Sequence, residues 1–359
     1  MSFLDLPKRG GDDRQRNQYP RVPADLPLAV RAEPPAHIRI PVGQARWRAL
    51  HEADVGAMAR LQRVVEDHDR TPFRTTESEL VDLFEPDVPH SAYGAFDDAG
   101  ELVAYGYVRV QVTEQSVVRA TCSGAVHPSW RDRNIGTSIV AWQLDIARHL
   151  LAKSGLEGPA QIAHFAEETV TGMIDLLERN GFTARRWFTQ MRRDLSEEIP
   201  DIPLGPYLAV VPWSETLSDA VRRAHNQAFA DHGESGALTP LQWERLMADV
   251  VREWSFVALD RSTDRARVAG YILSSRWEED WQALGWREGY IEALGVLAPW
   301  RRRGVARALL CHSMRAFRES GMDFAGIDVD LDDPAGAQHL YVQLGFEPTH
   351  RTVLYAIDL

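Results

Sequence analysis

Residues 176–195, LLERNGFTARRWFTQMRRDL, and residues 340–359, LYVQLGFEPTHRTVLYAIDL, carry the same punctuation. In each, a Gly-Phe pair is followed at equal spacing by Asp-Leu: Gly181-Phe182 with Asp194-Leu195, and Gly345-Phe346 with Asp358-Leu359. A second matched block lies upstream, VHPSWRDRNIG from Val126 and VLAPWRRRGVA from Val296, each with an apolar strand before it and a helix-like stretch after it. Two matches in the same order at similar separation mark a diverged internal repeat.

The repeat sets the boundaries. Residues 1–38 are rich in Pro, Arg and Asp with little periodicity, and read as an extended arm. SEEIPDIPLGP, residues 196–206, has three prolines and no helical pattern, and reads as a linker. The expected domains are therefore 39–195 and 207–359. A chain of 359 residues suits two domains, each able to bury its own core.

Within 207–359 the pattern predicts strands at 207–211, 255–259, 268–274, 290–296 and 324–329, with a last strand reaching Ile357. Helices are predicted at 217–230, 240–251, after Gly304 (Val305, Leu309 and Phe317 inward), and at 334–344, closed by a left-handed cap at Gly345. The order is mixed α/β, with a central sheet flanked by helices in each half.

Composition excludes several functions. The formal charge of −12 disfavours general nucleic-acid binding. No apolar run approaches a membrane span, and the N-terminal stretch lacks the apolar core of a secretory signal. Two cysteines, Cys122 and Cys311, give no disulfide framework. The expectation is a cytoplasmic protein, monomer or homodimer, with no nucleic-acid partner, no membrane and no metal.

GYIEALGVLAPWRRRGVARALL, from Gly289, runs an apolar strand through a Pro-containing turn into an Arg- and Gly-rich loop and directly into a helix. Such a loop attracts anions: the unpaired N–H groups of the helix's first turn carry partial positive charge, Gly304 lets backbone approach closely, and arginines add full charges. It suits a pyrophosphate. It lacks the Lys-Ser/Thr of a nucleotide P-loop and does not match GxGxxG.

The R-x-x-G-x-A of Arg301 to Ala306, with the strand ending at Val296 and the downstream LYVQLGF, resembles the GNAT superfamily of N-acetyltransferases. The resemblance implies two tandem GNAT-like domains and acetyl-CoA as co-substrate, with the pyrophosphate held on the loop amides and the pantetheine arm beside the strand. Val296, Leu297, Arg301, Arg302, Arg303, Gly304, Val305 and Ala306 would make those contacts. The family's Asn-Pro near the last helix is Asp333-Pro334 here, and a carboxylate cannot donate the hydrogen bonds an amide can.

Amide formation requires an amine to lose a proton before attack and the departing thiolate to gain one. Glu292 is the candidate base, because a carboxylate interrupts an otherwise apolar strand and partial desolvation would raise its pKa. The competing reading is a sheet-edge glutamate paired with a surface arginine. Tyr341, where the family commonly places a tyrosine near the thioester sulphur, is the candidate acid; the competing reading is a packed core aromatic.

The first half lacks both groups. Alignment of the blocks puts Cys122 opposite Glu292 and Leu177 opposite Tyr341, and puts Asn134 where the loop's glycine should be. Asn tolerates positive φ, so the loop can still form. Cys122 has no neighbouring histidine motif and reads as a small buried thiol. The first half is expected to be catalytically degenerate, completing a shared cleft or stabilising its partner.

A degraded first half and an intact second half resemble the layout of the mycothiol synthases, through MRRDL and HNQAFADH (225–232) among other features. The longer arm and IDVDLDDPAG depart from that layout, so the acceptor is not carried over. The expected acceptor is a small-molecule primary amine, with cationic amines favoured by the acidic chain and with His232, Glu234 and Trp243 as candidate contacts. The alternative is a non-catalytic acyl-CoA-binding regulatory protein; a scaffold without coenzyme binding fits the intact loop poorly.

Overall fold

The computed structural model of the chain describes residues 26–41, 45–71, 74–113, 117–230, 237–331 and 337–359. The first half contains α1 (Leu28–Arg31), β1 (Arg46–Ala49), α2 (Val55–Asp69), α3 (Glu77–Asp82), β2 (His90–Phe96), β3 (Leu102–Val112), β4 (Val118–Val126), α4 (Ile135–Lys153), β5 (Ala160–Glu167), α5 (Thr171–Arg179) and β6 (Thr183–Asp194). The second half repeats the order with β7 (Leu208–Pro212), α6 (Ser218–Ala230), α7 (Pro240–Leu246), β8 (Phe256–Asp260), β9 (Arg267–Ser275), α8 (Glu278–Leu284), β10 (Glu288–Val296), α9 (Val305–Glu319), β11 (Phe324–Asp330), α10 (Ala337–Gln343) and β12 (Glu347–Asp358). The class is mixed α/β, as the hydrophobic pattern predicts. Helix α8 falls on a stretch where no element was expected, and α7 ends at Leu246, well before 251.

Among the described residues twelve strands form one sheet in the order β1-β2-β3-β4-β5-β12-β6-β11-β10-β9-β8-β7. The two final strands have changed places. β12 lies between β5 and β6, and β6 lies between β12 and β11. The exchange extends to the packing: Met191 and Leu195, from the first half, belong to the second half's core, while Val353 and Tyr355 of β12 belong to the first half's. Burying a large apolar side chain is worth roughly 1.5–3 kcal/mol, so each core loses several such contributions without the other half's strand.

In the β6–β12 pair, Phe188 is the partner of Thr352. Phe188 lies six residues after Phe182, and Thr352 six after Phe346. The same repeat position therefore faces itself, which places a pseudo-twofold axis between these two residues.

The helical segments also meet: the Arg74 amide donates to Asp280 Oδ1 at 2.7 Å, and Arg245 pairs with Glu85 at 3.0 Å. The segment 196–206 has neither helix nor strand and is tied down by Arg315, which donates to the Pro200 carbonyl at 2.8 Å. Among the described residues, no helix is long and apolar enough to cross a membrane.

The exchange makes a firm prediction. Residues 207–359 produced alone should show no cooperative thermal transition, because β12 then has neither β5 nor β6 beside it. Co-produced with 1–206 they should co-elute as a one-to-one complex with a sharp melt. A cooperative melt of 207–359 by itself would contradict the dependence.

Candidate active site

The parallel pairing of β10 with β11 runs from Glu288↔Phe324 to Ile291↔Ile327 and then stops, although β10 continues to Val296 and β11 to Asp330. The strands part at that point. On its other edge β10 stays paired with β9, but the register shifts between Ile291 and Ala293, so Glu292 occupies a β-bulge. A bulge leaves one residue outside the ladder and re-aims its side chain. Glu292 and Asp328 consequently stand on opposite lips of the opening, each one residue past the last parallel pair.

Glu292 is exposed, and its Oε1 accepts from Ser275 Oγ and from Trp277 Nε1, the latter at 3.1 Å. Partial removal of water raises its pKa, opposed by those two hydrogen bonds and assisted by the charges of Asp249 and Asp328. Among the described residues it is not paired with a surface arginine. Its neighbours titrate in the same direction. Burial raises Asp328 despite its hydrogen bond with Tyr290, and burial is the main cause that lifts Glu288 to about 7 and Asp280 to about 6. Glu167, on β5 of the first half, is raised by burial and by Asp328, and accepts from Thr352 Oγ1 at 2.8 Å. The acidic surface thus crosses the seam between halves. Sequence reading missed Asp328, Glu288 and Glu167; alternation in IDVD and in EGYIE is the only local signal.

Beyond β10 the chain makes a turn of 3-10 helix at Ala298–Trp300, and Arg302 and Gly304 take positive φ of 59° and 80° before α9 begins. Trp300 anchors the turn by donating to Asp260 Oδ2 at 2.9 Å. Arg301 folds back, its Nε on the Val296 carbonyl at 3.0 Å and an Nη on the Ala228 carbonyl at 3.4 Å. Arg302 and Arg303 are exposed, and among the described residues the amides of 302–307 find no backbone acceptor. These are the donors an anion can use. Leu297 offers none: its side chain is buried and its amide donates to the Ala269 carbonyl at 3.1 Å. The Val305 side chain is also in the core, leaving only its amide to the loop.

Tyr341 is 6% exposed, in the same core as Ile291, Ile327 and Val329, its ring edge-on to Phe346 with centroids 5.8 Å apart. Trp243 sits in the core, donating to Ser218 Oγ at 3.0 Å and packed against His225 and Trp213, so it presents no open face to an acceptor. His225 is equally enclosed, bonded to the Tyr271 hydroxyl at 2.7 Å and held neutral by burial, with a pKa near 4. His232, Glu234 and Asp333-Pro334 lie outside the described residues.

The first half repeats the scaffold with different side chains at the matching positions. Its β4–β5 pairing stops at Cys122↔His164, also short of the strand ends, but β4 pairs with β3 without a register shift, so no bulge forms at Cys122. Asp132 and Asn134 adopt φ of 61°, matching Arg302 and Gly304, and Arg131 Nε reaches the Val126 carbonyl at 3.2 Å as Arg301 reaches Val296. There the likeness ends. Arg131 is held by both oxygens of Asp69, at 2.6 and 2.7 Å, which internally neutralises its charge. Cys122 does have a histidine across the strand pair, His164, which the sequence did not reveal. Burial nevertheless raises the thiol and lowers His164 to about 3, so both remain neutral and no thiolate forms.

The fold and the loop find their counterparts in known proteins. Residues 220–346 match the model of the acetyltransferase (GNAT) family. The second half therefore carries a GNAT-family acetyltransferase domain. It is 27% identical over 259 residues to mycothiol acetyltransferase of Nocardiopsis dassonvillei, covering 64% of this chain and 72% of that protein. With the mycothiol acetyltransferase of Nocardia farcinica it shares 27% identity over 79% of this chain and 88% of the relative. Among solved structures, a GCN5-related N-acetyltransferase from Sphaerobacter thermophilus superposes with a TM-score of 0.68 at 24% identity, over 88% of this chain and 96% of that one. A tandem GNAT protein from the clavulanic acid biosynthesis pathway gives 0.63 at 16%, over 87% and 98%. The tandem architecture is shared with such proteins.

Glu288 supplies a pH prediction. Its folded pKa, near 7 against 4.5 unfolded, means that the folded state holds a proton the unfolded state has released, so this group's contribution to stability falls as pH rises from about 4.5 to 7. Glu288→Gln should match the wild type in chemical denaturation near pH 4 and exceed it near pH 8 by about 1–3 kcal/mol. Equal stability at both pH values would refute the assignment.

Proposed function

We propose that the protein moves an acetyl group from acetyl-CoA to the primary amine of a small-molecule acceptor by direct attack in a ternary complex, with the chemistry in the second half. The observation that carries this reading is the bulge at Glu292 at the mouth of the parted strands, next to a loop with free amides. The first half has the parted strands and the loop but no bulge, and Cys122 in place of the carboxylate.

On this reading the pyrophosphate takes the amides of 302–307, assisted by Arg302 and Arg303, with Arg301 and Gly304 shaping the loop. Val305 and Ala306 contribute amides, and Val296 main chain. The pantetheine arm lies along the edge of β10 that β11 leaves unpaired, where its amides complete hydrogen bonds that a neighbouring strand would otherwise make. Glu292 removes a proton from the acceptor's ammonium, the neutral amine attacks the thioester carbonyl, and the tetrahedral intermediate collapses with loss of the thiolate. The nitrogen sheds its second proton to water as the amide forms, and Tyr341 gives a proton to that sulphur and recovers one from water. Glu292's raised pKa brings its basicity nearer to the task. The acceptor is a cationic amine, because Glu292, Asp328, Tyr290 and, from the first half, Glu167 form the surface it must meet. The relatives named mycothiol acetyltransferase favour a mycothiol-related acceptor.

The first half contributes a wall of the cleft and no second turnover site. Asp69 already satisfies its loop arginine, and the Cys122 thiol is neutral.

Calorimetric titration with acetyl-CoA should find one site per chain, lost in Arg301→Ala with Gly304→Val. Glu292→Gln and Tyr341→Phe should each lower kcat by about 10²-fold with acetyl-CoA affinity within twofold. Binding without turnover across a broad amine panel would replace this reading with a regulatory acyl-CoA-binding protein.

A further inference from the structure

We infer that Arg193, supplied by the first half, is the positioning residue for Tyr341 in the second half. The inference rests on the reading of Tyr341 as the proton donor.

Arg193 lies near the end of β6, the strand lent across the seam, paired with Ala325 of β11. It is 2% exposed, with the charges of Glu197 and Asp194 acting on it from nearby. Its guanidinium is spent on carbonyls of its own following stretch and of the turn at Leu344: Nε donates to Leu344 at 2.6 Å, Nη1 to Asp194 at 2.9 Å and Nη2 to Glu198 at 2.7 Å. A rigid planar fork is the side chain suited to such a junction, and burial lowers its pKa from the ordinary value, opposed chiefly by the charge of Glu197.

The Leu344 contact leads directly to the tyrosine. The Leu344 amide donates to the Tyr341 carbonyl at 2.9 Å, and the Phe346 amide donates to the same oxygen at 3.1 Å. Tyr341's main chain is thus one peptide removed from the guanidinium. Gly345, at φ 85°, closes the turn, and a side chain there would begin 3.4 Å from Arg193 Nε. In the lent strand Arg193 holds this turn against β11, which forms one lip of the opening.

The other repeat is an internal control. Its turn is the same, with the amides of Asn180 and Phe182 on the Leu177 carbonyl at 3.0 and 3.1 Å. The helix position holds Leu177 in place of a tyrosine, and the residue of β12 eleven places after Phe346, matching Arg193 eleven after Phe182, is Ile357. The arginine clamp is present where the tyrosine is present and missing where it is missing.

The test is a double-mutant cycle on the full chain with Arg193→Lys, Tyr341→Phe and the pair, reading kcat, acetyl-CoA affinity by calorimetry and thermal melting. Arg193→Lys should lower kcat by about tenfold through misplacement of the donor, with acetyl-CoA affinity within twofold. In the Tyr341→Phe background the same change should cost less than twofold. If Tyr341→Phe leaves kcat unchanged, the proton-donor reading itself fails. If Tyr341→Phe lowers kcat while Arg193→Lys has no effect, multiplies with it, or weakens acetyl-CoA binding, the positioning role is overturned. Should Arg193→Lys fail to fold, Gly345→Ala, which crowds the same guanidinium, enters the cycle with the same criteria.

Discussion

The antiparallel contact between β6 and β12 is the constraint on which the rest of the molecule depends. These strands are the last of their respective repeats, and each completes the other repeat's sheet. Because Phe188 pairs with Thr352 across a pseudo-twofold axis, neither half can shift register without moving both cores. A side-chain period of two makes a one-residue slip expel Met191 from one core and Val353 from the other. The first half is therefore structurally obligatory for the second half's site, whatever chemistry it has lost.

Comparison of the halves separates scaffold from chemistry. The positive-φ pair in the loop is kept in both, as Asp132 and Asn134 and as Arg302 and Gly304, although only one of the four is glycine. The turn itself therefore does not distinguish the two halves. What differs is one inserted residue in the β9–β10 ladder and the placement of one carboxylate. In the second half a carboxylate stands at the strand opening; in the first, Asp69 stands on the loop arginine and occupies the charge that an anion would use.

The repeat, the loop and the strand–loop–helix order were legible in the sequence because each is local: spacing, glycine positions and apolar periodicity fix them within about ten residues. The strand exchange was not, since nothing in residues 183–194 says whether they return to β5 or continue to β11. The bulge was also hidden, because Ile291 to Leu294 reads as unbroken strand and only the partner's register reveals the extra residue. The neighbour of Cys122 was missed for the same reason: His164 is 42 residues away in the chain and adjacent only through the parallel ladder. Trp243 was misjudged because an aromatic on a helix near a presumed cleft looks the same from sequence whether it faces inward or outward.

The acidic seam explains how a carboxylate on an exposed lip can serve as a base. Burial raises Glu292, Asp328, Glu288 and Asp280, and like charge adds to it at Glu292, through Asp249 and Asp328, and at Glu288, through Asp280 and Asp328. An empty cleft therefore favours partial protonation. A cationic acceptor reverses the balance, because one positive charge among several carboxylates lowers all their pKa values together. On the proposed reading the acceptor's own ammonium releases protons from the group as it binds, so Glu292 is ionised when the amine is in place and less so when it is not. Linkage requires the converse: acceptor affinity must rise with pH across the range in which these carboxyls titrate, and must do so independently of the acetyl-CoA loop, whose amides carry no titratable group.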